Sequence, residues 1–252
     1  MSGGEKTAEH KGRLHPMTVA IRDVARIFGD MGFGIAYGPE LEDEWHNFSA
    51  LNVPEDHPAR DMQDTFWIKD MPGHVLRTHT TSVTARELER MAKEGLTEMR
   101  MIAPGKVFRN EATDMTHEAQ FYQLDGFAVG PVGTVTLAHL KGTLERFYRE
   151  YLGENTRVRF RPSFFGFTEP SVEVDVWFEA PGKGGKWLEV AGAGMFHPNV
   201  IRNAGLDPDT VAGFAFGGGL ERLIMVKHGV PDVRLFHSGD IRFAYGFEEK
   251  EV

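Results

Sequence analysis

The sequence predicts an α+β domain, a mainly antiparallel β-sheet with helices against one face. Three observations carry this. Residues 172–179, VEVDVWFE, alternate apolar and polar side chains as a half-buried strand does. The stretches that begin at Pro16 and Leu137 instead repeat apolar residues every three or four positions, the period of an amphipathic helix. The strand-like runs follow one another without regular crossover helices, hairpins among them, so a βαβ pattern is not what the chain writes. At 252 residues with 41% hydrophobic content, there is enough material for one substantial core, and one domain is expected.

Met1 to Lys11 is small, polar and aperiodic, and reads as a flexible leader before a domain spanning residues 12–252. Pro16 opens the first helix, with Met17, Ile21, Val24, Ile27 or Phe28, and Met31 as its stripe; Gly32 and Gly34 end it. Asn47 to Trp67, rich in proline and acidic residues, suggests a structured loop leading to a short aromatic strand. Leu76 to Ser82 predicts a strand running into a helix capped by a hydroxyl residue, continued by Val83, Glu87, Leu88 and Met91. Residues 105–126 read as a hairpin, with strands at Lys106–Arg109 and Phe121–Leu124 around a charged loop. Val107 and Arg109 then share a face, opposite Gln123 and Asp125, so a cation stands beside an amide and a carboxylate. Leu140, Leu144, Phe147 and Tyr151 extend the helix begun at Leu137; Val158 with Phe160, and Leu188 with Val190, mark further strands. The glycine-rich segment Pro181 to Lys186 reads as a plain surface hairpin, since no helix follows to make it a phosphate cradle.

Composition excludes several classes. There is no cysteine, hence no disulfide and no thiolate metal site. No apolar run of spanning length and no secretory leader is visible, which predicts a cytoplasmic protein. A formal charge of -9 is a poor footprint for gripping a polyanion unaided, so any nucleic-acid substrate calls for a partner with basic surface.

Two motifs carry a resemblance. Phe108-Arg109-Asn110-Glu111, then Thr116-His117-Glu118 and Phe121 to Gly126, is similar to motif 2 of class II aminoacyl-tRNA synthetases. Gly213-Phe214-Ala215-Phe216-Gly217-Gly218-Gly219-Leu220-Glu221-Arg222, about a hundred residues on, resembles motif 3. With Leu76 to Thr80, Arg161 to Pro170 and Gly192 to Asn199, the resemblance narrows to the α subunits of phenylalanyl-tRNA synthetases and runs from Gly12 to Phe247. It implies the class II synthetase fold, with the first helix and a strand near Tyr37 to Glu40 as motif 1 at a subunit interface.

The resemblance also implies activity and roles. ATP and L-phenylalanine would give phenylalanyl-adenylate, and the acyl group would pass to tRNA(Phe). Arg109 would hold the α-phosphate and Arg222 the γ-phosphate; Glu111 and His117 would contact the adenine and phosphate end, and Phe121 would stack on adenine. Gly217 and Gly219 would let the backbone approach the nucleotide. His79, Thr81, Gln123 and Asp125 would meet the amino acid, with Phe165, Phe167, Ala215 and Gly217 around its side chain. Magnesium is implied by ATP, with Glu189 as a candidate ligand. Taken alone, His79 also reads as a satisfied structural histidine, the two phenylalanines as core, and Arg222 as a surface arginine. Asp125 stands where the family usually has Glu, Gly166 where proline is usual, and Thr81-Ser82 where Ser-Pro is common. Neither the N-terminal coiled coil with which many relatives grip tRNA nor a second domain is visible, so a β subunit is expected, as (αβ)2. The alternatives are a free-standing paralogue that adenylates an amino acid for a non-tRNA acceptor and a catalytically silent binding subunit. Arg157, Arg159 and Arg161 would line one face of a strand, either as an RNA or partner contact or as a solvated edge.

Overall fold

A computed structural model describes residues 12–61, 64–115, 117–180 and 184–247. In chain order its elements are α1 (Pro16–Gly29), β1 (Gly34–Ile35), β2 (Leu41–Asp43), α2 (Glu44–Asn47), β3 (His74–Leu76), α3 (Thr81–Glu94), β4 (Met99–Phe108), β5 (Gln120–Pro131), α4 (Leu137–Leu152), β6 (Val158–Phe165), β7 (Thr168–Ala180), β8 (Gly184–Phe196), α5 (Pro198–Asn203), β9 (Val211–Gly219), α6 (Leu220–His228) and α7 (Ile241–Tyr245). The expected leader, and residues 181–183 of the glycine-rich turn, lie outside the described residues.

The helical periods fold as read, except that α1 ends at Gly29 and leaves Met31 in the turn that follows. Pro16 sits in the first turn of α1, where its missing N–H costs nothing, and the His15 ring caps the helix by accepting from the Met17 N–H. Thr136 caps α4, and its apolar stripe buries Leu140, Leu144, Phe147 and Tyr151. Seven strands form one sheet in the order β1-β4-β5-β9-β8-β7-β6, antiparallel except for the β1–β4 pair. α1, α4 and α6 cover the face that carries Leu124, Ala128, Phe214 and Phe216, and the Phe28 ring stacks on Phe216 at 5.3 Å. Burying a ring the size of Phe28 contributes roughly 1.5–3 kcal/mol.

The expectation of helices against one face is corrected. α3 and α5 pack on the opposite face, through Leu88, Met91, Val200 and Ile201 against Phe127, Val129 and Ala215. The cause is in the central strands: β5 is buried continuously from Leu124 to Gly130, because a strand covered on both sides need not alternate. The hairpin also needs correction. Its strands are longer than the aromatic runs suggested, and Val107 pairs with Phe121, Gly105 with Gln123 and Ala103 with Asp125. Pro104 and Gly105 hid the extension; β4 tolerates them beyond the short β1 pairing at Met101 and Ile102.

The strand expected near Tyr37 to Glu40 falls on either side of that segment, as β1 and β2, and not within it. The carbonyls of Gly38 and Pro39 are taken by the Arg77 guanidinium, at 3.0 and 3.3 Å, and Tyr37 is 78% exposed. The hydroxyl expected to cap α3 is Thr80, yet it makes no side-chain capping bond. Between α2 and β3 the expected structured loop contains single turns of 3₁₀ helix at Ser49–Leu51 and Pro58–Arg60, and in place of an aromatic strand Trp67 makes a single bridge to Val75.

Candidate active site

A cavity of about 1000 Å³ opens on the sheet face shared with α3, between the start of that helix, the β4–β5 loop, the β6–β7 turn and the start of α6. Every site residue expected from the sequence lines it: His79, Thr81, Arg109, Glu111, His117, Phe121, Gln123, Asp125, Phe165, Phe167, Glu189, Ala215, Gly217, Gly219 and Arg222.

Its floor is polar. Asp125 is 2% exposed, accepts the Thr81 hydroxyl on Oδ2, and leaves Oδ1 without a partner. Burial pushes this carboxyl up to about 6, against the hydroxyls of Thr81 and Thr80 and the charges of Arg109 and Arg77. Gly217 faces Asp125 across the β5–β9 ladder, and a Cβ there would overlap the carboxylate. The absence of a side chain, not a special φ, is what this glycine supplies. His79 is pushed down to about 3 by burial and by Arg109, so its ring is neutral at ordinary pH. Its Nδ1 and the Gln123 Oε1 are likewise buried without a partner. Such atoms cost free energy unless a ligand satisfies them.

Beside the floor is an apolar wall. The rings of Phe165 and Phe167 lie 5.8 Å apart and nearly parallel, and Ala215 is buried next to Gly217 on β9. Phe165 ends β6 and pairs with Thr168, and Phe167 is the second residue of the two-residue turn between them, which is why residues two apart present rings to one cavity. A Cβ on Gly192 would come within 2.8 Å of the Phe165 ring, so that glycine makes room for the wall.

Cations gather at the mouth. Arg109 donates Nε–H to the Thr78 carbonyl at 3.2 Å and places its guanidinium 5.1 Å from the centre of the Phe121 ring, covering one face of that ring. Arg222 is exposed on α6 and donates to the Glu189 carbonyl at 3.3 Å. Glu111 and His117 are exposed on the β4–β5 loop, where the His117 ring meets Asp114 at 3.0 Å. Gly219 is the N-cap of α6 and has no side chain to make a capping bond, so the start of that helix faces the cavity edge without a cap from the preceding residue.

Glu189 stands 3.5 Å from Arg161, and its carboxyl is raised by burial and by Glu173. It belongs to no cage. Among the described residues the one grouping of three ligand-type side chains, Glu42, Asp43 and His46, lies off the cavity and already holds Arg86. A lone carboxylate fits a magnesium ion that draws most of its ligands from water and phosphate. Farther along the sheet, Arg159 and Arg161 both bond the buried Asp175, and Arg157 lies 4.3 Å from the centre of the Trp177 ring. The two arginines on that edge strand are thus paired within the sheet, and Arg157 lies just before it.

Two residues escaped the sequence reading. Glu221 is buried at the start of α6; its Oε1 accepts the Tyr122 N–H at 2.7 Å, extending the β5–β9 ladder past its last pair, and burial pushes the carboxyl up to about 7. Its place beside Arg222 in the motif was the available signal. Arg77 is 4% exposed and donates to the carbonyls of Lys106, Gly38 and Pro39, lying where a Cβ on Gly105 would be. Nothing in its sequence neighbourhood announces that clamp.

Comparison with known proteins agrees with this geometry. Residues 4–247 match the family model described as tRNA synthetases class II core domain (F). The phenylalanine–tRNA ligase α subunit of Aeromonas hydrophila is 50% identical over 237 residues, 94% of this chain and 68% of the relative. Those of Bacillus pumilus and Shigella boydii are 46% and 49% identical, over 94% of this chain and 70% and 68% of theirs. The chain belongs to the class II tRNA synthetase family and, within it, stands with the α subunits of phenylalanine–tRNA ligases.

Proposed function

We propose that the cavity activates L-phenylalanine with ATP and that the acyl group then passes to the 3′ end of tRNA(Phe). The observation that carries this is the pairing of an aromatic wall with three buried, unpartnered polar atoms, on His79, Gln123 and Asp125. An α-ammonium group supplies donors to the amide and carboxylate oxygens, and the phenylalanine ring packs against Phe165 and Phe167. The carboxylate of the amino acid, turned toward the mouth, attacks the α-phosphorus of ATP; the bond to the bridging oxygen breaks and pyrophosphate leaves. Charge grows on phosphate oxygens in that step. Arg109 at the α-phosphate and Arg222 at the γ-phosphate stabilise it, helped by the N–H groups at the start of α6. Glu111 and His117 hold the adenine and phosphate end, and adenine stacks on the Phe121 face that Arg109 leaves open. Glu189 is the residue to hold magnesium, which when bound offsets the charge of the phosphates.

Residues 12–252 then act as one catalytic domain in a cytoplasmic (αβ)2 assembly, with the β subunit supplying the basic surface that a chain of charge -9 lacks. Among the described residues no helix is long and apolar enough to cross a membrane. Exchange of pyrophosphate into ATP that depends on phenylalanine, run with and without a β subunit and followed by charging of tRNA(Phe), tests the reading. Exchange that no amino acid stimulates would end it.

A further inference from the structure

Asn52 is the one non-glycine residue with positive φ among the described residues, 59°, in the left-handed region that asparagine tolerates. It follows the 3₁₀ turn at Ser49–Leu51, far in sequence from every residue of the cavity wall, and does not itself line the cavity. From behind that wall its Nδ2–H donates to the Gly166 carbonyl at 2.6 Å. Its Oδ1 accepts from the Asn199 Nδ2–H at 2.9 Å, and the Asn199 Oδ1 accepts from Arg202. The side chain is therefore oriented from one side and spends its donor on the other.

Gly166 is the tip of the turn between β6 and β7, and its neighbours are Phe165 and Phe167. β6 is the sheet's outer strand, bonded to β7 alone, so the ladder holds the turn from one side only. Three ties supply the rest: the Phe165 N–H donates to the Ser171 hydroxyl at 3.2 Å, the His197 N–H donates to the Phe167 carbonyl at 3.0 Å, and Asn52 holds Gly166 between the rings. A Cβ on Gly166 would lie 3.3 Å from the Asn52 carbonyl oxygen, tight against backbone, so the two residues are fitted to each other.

We propose that Asn52, through its amide bond to the Gly166 carbonyl, is a positioning residue that fixes the Phe165 and Phe167 rings and so sets which amino-acid side chain the cavity accepts. The inference rests on the reading of the cavity as an aromatic amino-acid site. An apolar pocket discriminates against an added hydroxyl by on the order of 10² only while its wall stays put, and a displacement near 1 Å can cost as much in rate.

The experiment is pyrophosphate exchange by the assembled enzyme carrying Asn52→Gly or Asn52→Asp, with KM measured separately for phenylalanine, tyrosine and ATP. Glycine keeps the left-handed backbone without strain, so its effect reports the lost amide alone. Aspartate keeps the shape and the bond from Asn199 but turns a carboxylate oxygen toward the Gly166 carbonyl. Both should raise KM for phenylalanine about tenfold and reduce the preference for phenylalanine over tyrosine to a similar extent, with KM for ATP within about twofold of the parent. Should either variant fail to fold, Asn199→Ala, which frees the Asn52 amide without touching its backbone, should shift the same two quantities less and in the same direction. A parent that activates no aromatic amino acid would overturn the cavity reading and this inference with it. A phenylalanine-selective parent with equally selective variants would overturn the role of Asn52 alone, as would KM values for both substrates that rise together with a lowered melting temperature.

Discussion

Asp125 ties the pH dependence of amino-acid binding to one atom. In the free protein its carboxyl is pushed up to about 6 by burial, and its Oδ1 has no partner. An ammonium group binds the ionised form, so protons compete with phenylalanine. The apparent KM for phenylalanine should therefore scale as one plus the ratio of protonated to ionised Asp125, about elevenfold above its limiting value at pH 5 and about twofold at pH 6. The neighbouring His79 lies near 3 and contributes no titration in this window. Asp125→Asn should raise KM by roughly 10- to 150-fold, the equivalent of a charge-assisted bond of about 1.5–3 kcal/mol, and abolish the pH dependence. Stability carries the opposite sign. Because the folded value lies above the ordinary carboxyl value of 3.8, the folded state holds the proton more tightly. The contribution of Asp125 to stability is complete below 3.8 and falls as pH rises through about 6, a loss on the order of 3 kcal/mol. Without substrate, then, Asp125→Asn should melt higher than the parent at pH 7 but not at pH 4. The assay is pyrophosphate exchange at saturating ATP across pH 5 to 7, with melting curves alongside. A KM for phenylalanine that stays flat over that range, or an equal slope in Asp125→Asn, would refute the argument.

Three other outcomes are expected. Arg222→Ala should slow adenylation by on the order of 10²-fold or more and leave the melting temperature unchanged, since the side chain is exposed and makes one long bond to a carbonyl; exchange at the parent rate would remove its γ-phosphate role. Ala215→Gly should raise activation of tyrosine, because Ala215 lies on the β9 wall where loss of a methyl opens space; the parent should reject tyrosine by about 10² only, and exclusion beyond ~10⁴ would mean a polar or steric filter elsewhere. Gly217→Ala should displace the Asp125 carboxylate and raise KM for phenylalanine more than KM for ATP, as separate substrate titrations would record.

The parts of the fold legible in the sequence are those where one side chain has one environment. The stripes of α1 and α4 each follow from a single buried face, and the strand at 172–179 formed where its alternation lies even though Asp175, on the polar side, is buried beneath Arg159 and Arg161. β5 and β9 have two buried faces, so LDGFAVG and GFAFGGG carry no alternation, and the second helical layer over them went unread. The continuous apolar and small-residue run was itself the signal of a strand covered on both sides. That the motif residues converge on one cavity was legible because their types and spacing are specific. Asn52, Arg77 and Glu221 were not, because each acts on a backbone group distant in sequence: Gly166, Lys106 and Tyr122. A bond from a side chain to a main-chain atom leaves no mark on the identity of its partner.

Gly217, Gly218 and Gly219 show why a motif can be recognised before it is understood. As a string they suggest a softened turn between strand and helix, yet none has positive φ, and β9 runs through all of them as regular strand before α6 begins at Leu220. What each supplies is space, on alternating sides of the sheet. Gly217 vacates the volume that the Asp125 carboxylate fills on the cavity floor. Gly218, on the other face, lets β9 approach β8 so closely that a Cβ would overlap the Val190 carbonyl. Gly219 returns to the cavity side, where nothing lies within 4 Å of its missing side chain, and leaves the start of α6 open to an anion. On the proposed function the first serves the amino acid, the second the sheet and the third the nucleotide. Any one of these demands could be met elsewhere; at consecutive positions of one strand they bring the proposed ammonium site and the proposed phosphate site within two residues of each other.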